Sequence, residues 1–198
     1  GGIAFMRDGE MITTPPRELL DLETLPEIPY ELVDVSKYMP TYMGRKSLYF
    51  QSSRGCPHAC TYCYNPRFNR RKWRAQSAER TLERLRHIAE NYGVEDVYFV
   101  DDNIFLDLDR DKKLMEGIKE LGITWQIQGV DVIRIKKLDD DFIESLRVSG
   151  LLRLTIGVES GCPRIRKLMG KAGGIEDIKE TFRRLSKHDI IVFANLLG

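Results

Sequence analysis

The sequence has no long hydrophobic run, almost no net charge and no Asn-x-Ser/Thr acceptor for glycosylation. Its longest apolar stretch, near residues 190–194, falls far short of the roughly 20 residues that a membrane-spanning helix needs. A net charge of +1 gives no global field that would attract nucleic acid or a membrane surface. No signal-peptide pattern is visible at the start. These absences predict a protein that does not bind a membrane.

The composition is that of a globular protein, with 42% hydrophobic and 31% charged residues. A chain of 198 residues can form one domain with a sizeable core. It begins with Gly-Gly rather than Met and stops within an apolar stretch, so we expect it to be a piece of a longer protein.

The N-terminal part differs in pattern from the rest of the chain. Residues 3–14 predict a hairpin around Asp8-Gly9, a favoured tight-turn pair. Residues 17–46 contain Pro26, Pro29 and Pro40 among scattered acids, which is typical of an extended linker. We therefore divide the chain into a hairpin and linker at 1–46, which would follow a preceding domain, and a core domain at 47–198.

The core domain alternates apolar strand-like runs with amphipathic helix-like stretches. The runs are at 47–52, 95–100, 123–128, 152–158 and 190–196. Such alternation with short connections predicts βα units and a parallel sheet. The fold class is therefore α/β, a partial TIM-type (β/α) barrel truncated after its fifth strand, because a closed barrel of this type uses eight. The apolar last strand would form an exposed edge, which natural proteins avoid.

Polar residues follow each predicted strand, where the chemistry of such barrels takes place. A cysteine-rich loop follows the first strand. The positions after the next three carry carboxylates, amides and a hydroxyl, namely Asp101, Asp102, Asn103, Gln128, Asp131, Glu159 and Ser160. Gln126 and Gln128 alternate onto one face of the third strand. We expect these side chains to meet at one rim.

Three of the four cysteines, Cys56, Cys60 and Cys63, form a CxxxCxxC motif. Such crowding is awkward for disulfides and natural for a metal site, which indicates a reducing cytosol. Three thiolates can hold three corners of a cubane cluster and leave one iron open. The alternatives are a zinc site, for which His58 is poorly placed as the fourth ligand, and inert thiols. We interpret Cys162 as a structural thiol.

The cysteine motif, with Tyr62 before its last cysteine, resembles that of the radical S-adenosylmethionine (radical SAM) enzymes. The resemblance extends over essentially the whole chain. The blocks Arg54–Pro57, 71–79, 99–103 and 156–161 are similar to those of the subgroup that also carries a cobalamin-binding domain, and the segments around Pro15-Pro16 and 25–30 are similar to its linker. The cysteine motif is specific for the superfamily, and the other blocks are moderately specific for the subgroup.

The resemblance implies that the cysteines bind a 4Fe–4S cluster whose open iron chelates S-adenosylmethionine, which is cleaved reductively to a 5′-deoxyadenosyl radical. It implies contacts of Asp101–Asn103 with the methionine amino group and of Glu159 and Ser160 with the ribose. Tyr62 would pack near the adenine, and Gln128 would contact cofactor or substrate. Turn formation and helix capping are the structural alternatives for the strand-end residues. Cobalamin would be bound mainly by a domain outside this chain.

The implied partners are a small-molecule substrate and an electron donor of the flavodoxin or ferredoxin type. A basic run, Arg67, Arg70, Arg71, Lys72 and Arg74 around Trp73, could bind RNA or an anionic ligand, but we favour a solvated face. The leading function is a cobalamin-dependent methyltransferase or an oxygen-independent cyclase. The alternatives are a methylthiotransferase acting on tRNA or protein and a non-catalytic zinc or iron–sulfur module.

Overall fold

Short strands and amphipathic helices alternate along the chain in a computed structural model that describes residues 2–197. The strands are β1 (Ala4–Arg7), β2 (Glu10–Thr13), β3 (Thr41–Tyr42), β4 (Arg45–Phe50), β5 (Ser53–Arg54), β6 (Arg74–Ala75), β7 (Asp96–Phe99), β8 (Thr124–Val130), β9 (Leu151–Glu159) and β10 (Ile191–Leu196). The helices are α1 (Asn65–Phe68), α2 (Ala78–Tyr92), α3 (Leu108–Leu121), α4 (Val132–Lys136), α5 (Asp140–Val148), α6 (Pro163–Leu168) and α7 (Ile175–Lys187).

A six-stranded sheet in the order β10-β9-β8-β7-β4-β3 organises the molecule. Strands β4, β7, β8, β9 and β10 run parallel, and β3 pairs antiparallel with β4 at one edge. These five parallel strands are the five that the sequence pattern predicts, so the α/β partial-barrel prediction is confirmed. The prediction missed β3, because an edge strand of two residues carries no readable alternation.

The hydrophobic core lies between the sheet and its helices. On β9, Leu154 and Ile156 are fully buried, as are Ile143 and Leu146 on α5. Because side chains alternate along a strand, Thr155, Gly157 and Glu159 face the other side of the sheet. Gly157 and Glu159 line a cavity on that side. The helices therefore cover one face, and the opposite face is available for a site.

The N-terminal hairpin forms as predicted between β1 and β2. Asp8 and Gly9 both have positive φ, 53° and 82°, which matches the tight turn that joins two twisted strands. The linker packs against the core domain: Leu22 is buried, and the Glu23 carboxylate accepts hydrogen bonds from the Ser77 backbone N–H (2.8 Å) and hydroxyl (2.7 Å). Since Ser77 is the N-cap of α2, the linker contributes to the start of that helix.

Within residues 2–197, no helix combines the length and the apolar character required to cross a membrane.

Candidate functional site

A cavity of about 270 Å³ lies at the carboxyl ends of the parallel strands. Its lining residues come from the cysteine loop and from the ends of β7, β8, β9 and β10. They are Cys56, His58, Cys60, Tyr62, Cys63, Tyr64, Asn65, Val100, Asp101, Asp102, Asn103, Gln128, Gly129, Val130, Asp131, Gly157, Glu159, Lys171 and Asn195. The strand-end residues therefore gather at one rim beside the three cysteines, with the exception of Ser160.

The cysteine loop leaves the short strand β5 through a glycine. Gly55 has φ +97°, and a Cβ at this position would lie 2.0 Å from the Lys72 carbonyl oxygen. Only glycine fits both the backbone conformation and this close approach. Farther along, Thr61 donates its backbone N–H to the Met169 carbonyl at 3.0 Å and its hydroxyl to the Leu168 carbonyl at 3.2 Å. The loop is thus held between residue 72 and the end of α6.

All three loop cysteines are free and half-buried. The Asn103 side-chain amide donates to Cys56 Sγ, and the Asn65 backbone N–H donates to Cys63 Sγ, each at 3.5 Å. Burial raises the pKa of the Cys56 thiol, and the Asn103 hydrogen bond opposes this rise. N–H donors aimed at sulfur stabilise thiolates and tune the potential of iron–sulfur clusters. The donor set fits a cluster with three protein thiolates.

A single metal ion needs its ligands to meet around one point, and in residues 2–197 no three His, Cys, Asp or Glu side chains do so. A cubane cluster binds each thiolate at a different iron, so its ligands line a cavity. His58 was considered above as a possible fourth ligand for zinc. Its Nε2 instead lies 3.0 Å from Asp131 Oδ2.

Asp131 connects the cysteine loop to the end of β8. Its Oδ2 also accepts from the Asn103 amide at 3.2 Å, and its Oδ1 caps α4 by accepting the Arg134 backbone N–H at 2.9 Å. Burial by itself would raise the pKa of this carboxyl, but the hydrogen bonds from His58, Arg134 and Asn103 lower it to about 2. Asp131 is therefore an ionised support that holds two elements of the cavity wall together.

The two aspartates after β7 both hold the segment that leads into the cysteine loop. Asp101 is 2% exposed and accepts hydrogen bonds from the Ser52 backbone N–H (3.2 Å), the Ser52 hydroxyl (2.9 Å) and the Ser53 hydroxyl. Burial raises the pKa of Asp101, and these hydrogen bonds oppose the rise. Asp102 accepts the Gly55 backbone N–H at 2.6 Å and the Tyr64 hydroxyl at 2.5 Å. Burial and then the Asp102 hydrogen bond raise the pKa of Tyr64 to about 12.

The end of β8 passes very close to the aspartate pair. A Cβ on Gly129 would lie 2.2 Å from the Asp101 carbonyl oxygen and 2.8 Å from that of Asp102. Gln128, beside it, is exposed and lines the cavity. Gln126 does not join it: its side chain is buried and donates to Asp96 Oδ2 at 2.5 Å. The pairing of β8 with β9 shifts register just beyond this point, between Ile127 and Val130.

At the end of β9, Glu159 has a φ of 67°, in the left-handed region, and is 8% exposed. Lys171 Nζ lies 3.6 Å from its Oε1. Partial burial and then the nearby Glu159 carboxylate raise the pKa of Tyr62. Ser160 is not among the lining residues described above, and its hydroxyl accepts the Cys162 backbone N–H at 3.1 Å before α6. This contact forms the turn expected as one structural alternative for Ser160, but the N-cap of α6 is Cys162, so Ser160 does not cap that helix.

Lys171 and Tyr64 are two polar lining residues that the sequence reasoning did not predict. Lys171 reaches the cavity from the segment between α6 and α7, which follows no strand and so carries no positional signal. Tyr64 lies directly after the last cysteine of the motif, and its proximity to that residue was an available signal. Both contact predicted residues, since Lys171 faces Glu159 and Tyr64 donates to Asp102.

A half-barrel of parallel strands with three thiols at the carboxyl-end cavity defines an α/β-barrel protein with a cysteine-rich site. The family model of the radical SAM superfamily matches residues 50–198. This chain belongs to that superfamily of enzymes.

The chain is 29% identical over 197 residues to the anaerobic magnesium-protoporphyrin IX monomethyl ester cyclase of Synechocystis, covering 98% of this chain and 38% of that protein. It is 28% identical over 173 residues to an uncharacterized methyltransferase of Pyrococcus horikoshii, covering 86% and 36%. Among solved structures, the cobalamin-dependent radical SAM enzyme OxsB with aqua-cobalamin and S-adenosylmethionine bound superposes with a TM-score of 0.80 at 22% identity, over 99% of this chain and 29% of that one. The chain thus spans little more than a third of these curated relatives.

Proposed function

We propose that Cys56, Cys60 and Cys63 hold a 4Fe–4S cluster and that the rest of the cavity binds S-adenosylmethionine. The observation that carries this proposal is the set of three free, half-buried thiols on one cavity wall, two of which accept N–H hydrogen bonds. When bound, the reduced cluster and S-adenosylmethionine together supply a 5′-deoxyadenosyl radical. The residues of this chain position the cofactors and shield them from water.

The cavity offers distinct groups to the two ends of S-adenosylmethionine. Around the cysteines, Asp102 and Asn103 present oxygens suited to an ammonium group. The buried Asn103 Oδ1 has no hydrogen-bond partner within residues 2–197, so an acceptor remains available there. Asp101 lines the same wall, but its carboxylate is engaged by Ser52 and Ser53, so its contribution is support for the loop.

On the opposite wall, Glu159 is suited to accept ribose hydroxyls, and Lys171 holds that carboxylate in place. Tyr62 offers an aromatic surface for the adenine, and Gln128 offers an exposed amide to cofactor or substrate. The contact of Ser160 with the ribose stays a prediction, because its hydroxyl accepts the Cys162 N–H and does not line the cavity.

For the whole protein we propose cobalamin-dependent methyl transfer or oxygen-independent ring closure on a small molecule. The methyltransferase and cyclase relatives support both reactions. Cobalamin would be held by a domain that precedes the hairpin and linker at 1–46. A one-electron donor and a reducing cytosol complete the requirements of a reduced cluster. The methylthiotransferase remains the enzymatic alternative, and a zinc or iron–sulfur module the non-catalytic one.

Anaerobic reconstitution of the full-length protein with iron and sulfide tests the site. We expect four iron and four sulfide per chain and an electron paramagnetic resonance signal of the reduced cluster that changes when S-adenosylmethionine is added. Replacing any one of Cys56, Cys60 or Cys63 with Ala should abolish the signal, whereas Cys162→Ala, as the matched control, should retain it. One zinc ion per chain without sulfide would contradict the proposal. A cluster signal that does not change when S-adenosylmethionine is added would contradict it as well.

A further inference from the structure

The chain carries a strong local excess of positive charge beside the cysteine loop. Residues 35–78 contain nine Lys or Arg and no Asp or Glu, although the net charge of the whole chain is only +1. Five of these cations are exposed and follow or flank the loop in sequence; we call them the basic patch: Arg54, Arg67, Arg70, Arg71 and Lys72.

The basic patch lies against the cysteine loop itself. Arg71 Nε donates to the carbonyl of Pro57, the residue after Cys56, at 2.9 Å. The backbone of Lys72 packs on Gly55, the residue before Cys56. Arg70 turns to the linker, where it donates to the Arg17 carbonyl at 2.7 Å. Arg71 and Lys72 therefore contact the residues on either side of Cys56, the first predicted cluster ligand.

No residue of the basic patch belongs to an ion pair within residues 2–197. Exposed basic side chains elsewhere, such as Lys113, Lys136 and Lys179, do pair with carboxylates. Asp102, beside the cysteine loop, accepts hydrogen bonds from Gly55 and Tyr64 rather than from a patch side chain. The charge of the patch is therefore directed at solvent or at a partner.

Two exposed aromatic side chains accompany the charge. Phe68 is 71% exposed and Tyr64 is 57% exposed, and their ring centroids are 5.8 Å apart. Aromatic and arginine side chains together are the residues enriched in protein–protein interfaces. Trp73, the base-stacking residue in the RNA interpretation of this run, is half-buried and donates its indole N–H to the Asn103 carbonyl at 3.0 Å. Trp73 is therefore not free to stack on nucleic-acid bases, and Tyr64 and Phe68 are the exposed aromatic rings of this surface.

We propose that the basic patch, with Tyr64 and Phe68, is the docking surface for an acidic one-electron carrier protein that reduces the cluster. This inference rests on the proposed cluster site. In each encounter the carrier gives up one electron, which the cluster receives, and no proton or group is transferred. Complementary charge accelerates such encounters and makes them sensitive to salt, and electron-transfer interfaces are small enough for a patch of this extent.

Charge reversal of two side chains tests the surface. Arg67 and Lys72 form no side-chain hydrogen bond or ion pair within the described chain, so Arg67→Glu with Lys72→Glu should leave folding and the cysteine loop intact. Arg86→Glu with Lys119→Glu is the matched control, because it changes the same two residue types at exposed positions in the second halves of α2 and α3.

The readouts are the rate of S-adenosylmethionine cleavage by the full-length protein with reduced flavodoxin or with dithionite, and the affinity for oxidised flavodoxin measured by calorimetry. We expect the patch variant to lose about tenfold of the flavodoxin-driven rate at low ionic strength and to bind flavodoxin more weakly, while its dithionite-driven rate is unchanged. The control variant should match the wild type in all three, and high salt should erase the difference between the variants.

Unchanged flavodoxin affinity and rate in the patch variant would overturn the docking proposal. A patch variant that instead loses binding to a tRNA probe, with its flavodoxin-driven rate intact, would assign the surface to nucleic acid and overturn it as well. Failure of the proposed function has a different signature, because the wild type would then show no cleavage with dithionite, while calorimetry would still report whether the patch binds flavodoxin.

Discussion

Removal of the Asp131 side chain should loosen the cysteine loop from the strand ends. Its carboxylate accepts three hydrogen bonds, from His58, Asn103 and the Arg134 backbone N–H, at 3.0, 3.2 and 2.9 Å. Loss of a helix N-cap costs about 1 kcal/mol, and loss of a hydrogen bond to a charged group about 1.5–3 kcal/mol. Because such terms are not additive, we expect Asp131→Ala to lower the free energy of unfolding by about 2–4 kcal/mol.

Urea unfolding of the cluster-free protein measures this loss, and iron analysis after reconstitution measures its effect on the site. Asp131→Asn is the matched control, because Asn caps a helix as well as Asp does, while its NH2 replaces the oxygen that contacts His58 and Asn103. We expect the Asn variant to lose about 1 kcal/mol and to retain more iron than the Ala variant. If the Ala variant unfolds at the wild-type urea concentration and binds iron normally, Asp131 does not support the loop.

Two further predictions concern the same wall and the core behind it. Gly129→Ala should lower the free energy of unfolding by about 1–3 kcal/mol or more in urea titrations, since its Cβ would overlap the Asp101 carbonyl; wild-type stability would contradict the close approach. Asp111 is 2% exposed, and burial raises the pKa of its carboxyl to about 7 although Arg110 opposes this. The folded state therefore holds a proton that the unfolded state releases near pH 4, and stability should fall as pH rises from about 4 to 7. Asp111→Asn should remove this loss of stability. If urea unfolding of the Asn variant depends on pH as strongly as that of the wild type, Asp111 is not its source.

The parallel sheet could be predicted from the sequence because each buried strand is an apolar run between amphipathic helices. The cysteine loop and the rim positions of Asp102, Asn103 and Glu159 follow from the rule that parallel strands end at one edge. The order of strands and helices along the chain is sufficient to predict which residues share this rim, because the topology decides which strand ends are neighbours.

The roles of individual rim residues could not be read in this way. Asp101 and Asp102 are adjacent in sequence, yet one is buried against Ser52 and Ser53 and the other faces Gly55 and Tyr64. Gln126 and Gln128 were both expected as candidate contacts, and only Gln128 lines the cavity, since Gln126 donates to Asp96 instead. Lys171 reaches Glu159 across a loop, which no periodic pattern encodes. These details depend on tertiary packing rather than on local spacing.

Cleavage of S-adenosylmethionine by the full-length, anaerobically reconstituted protein tests the central claim most directly. With dithionite as reductant, mass spectrometry should detect 5′-deoxyadenosine from the wild type and from Cys162→Ala, and none from Cys60→Ala. The absence of 5′-deoxyadenosine from a wild-type protein that carries its full complement of iron and sulfide would contradict the assignment of this cavity.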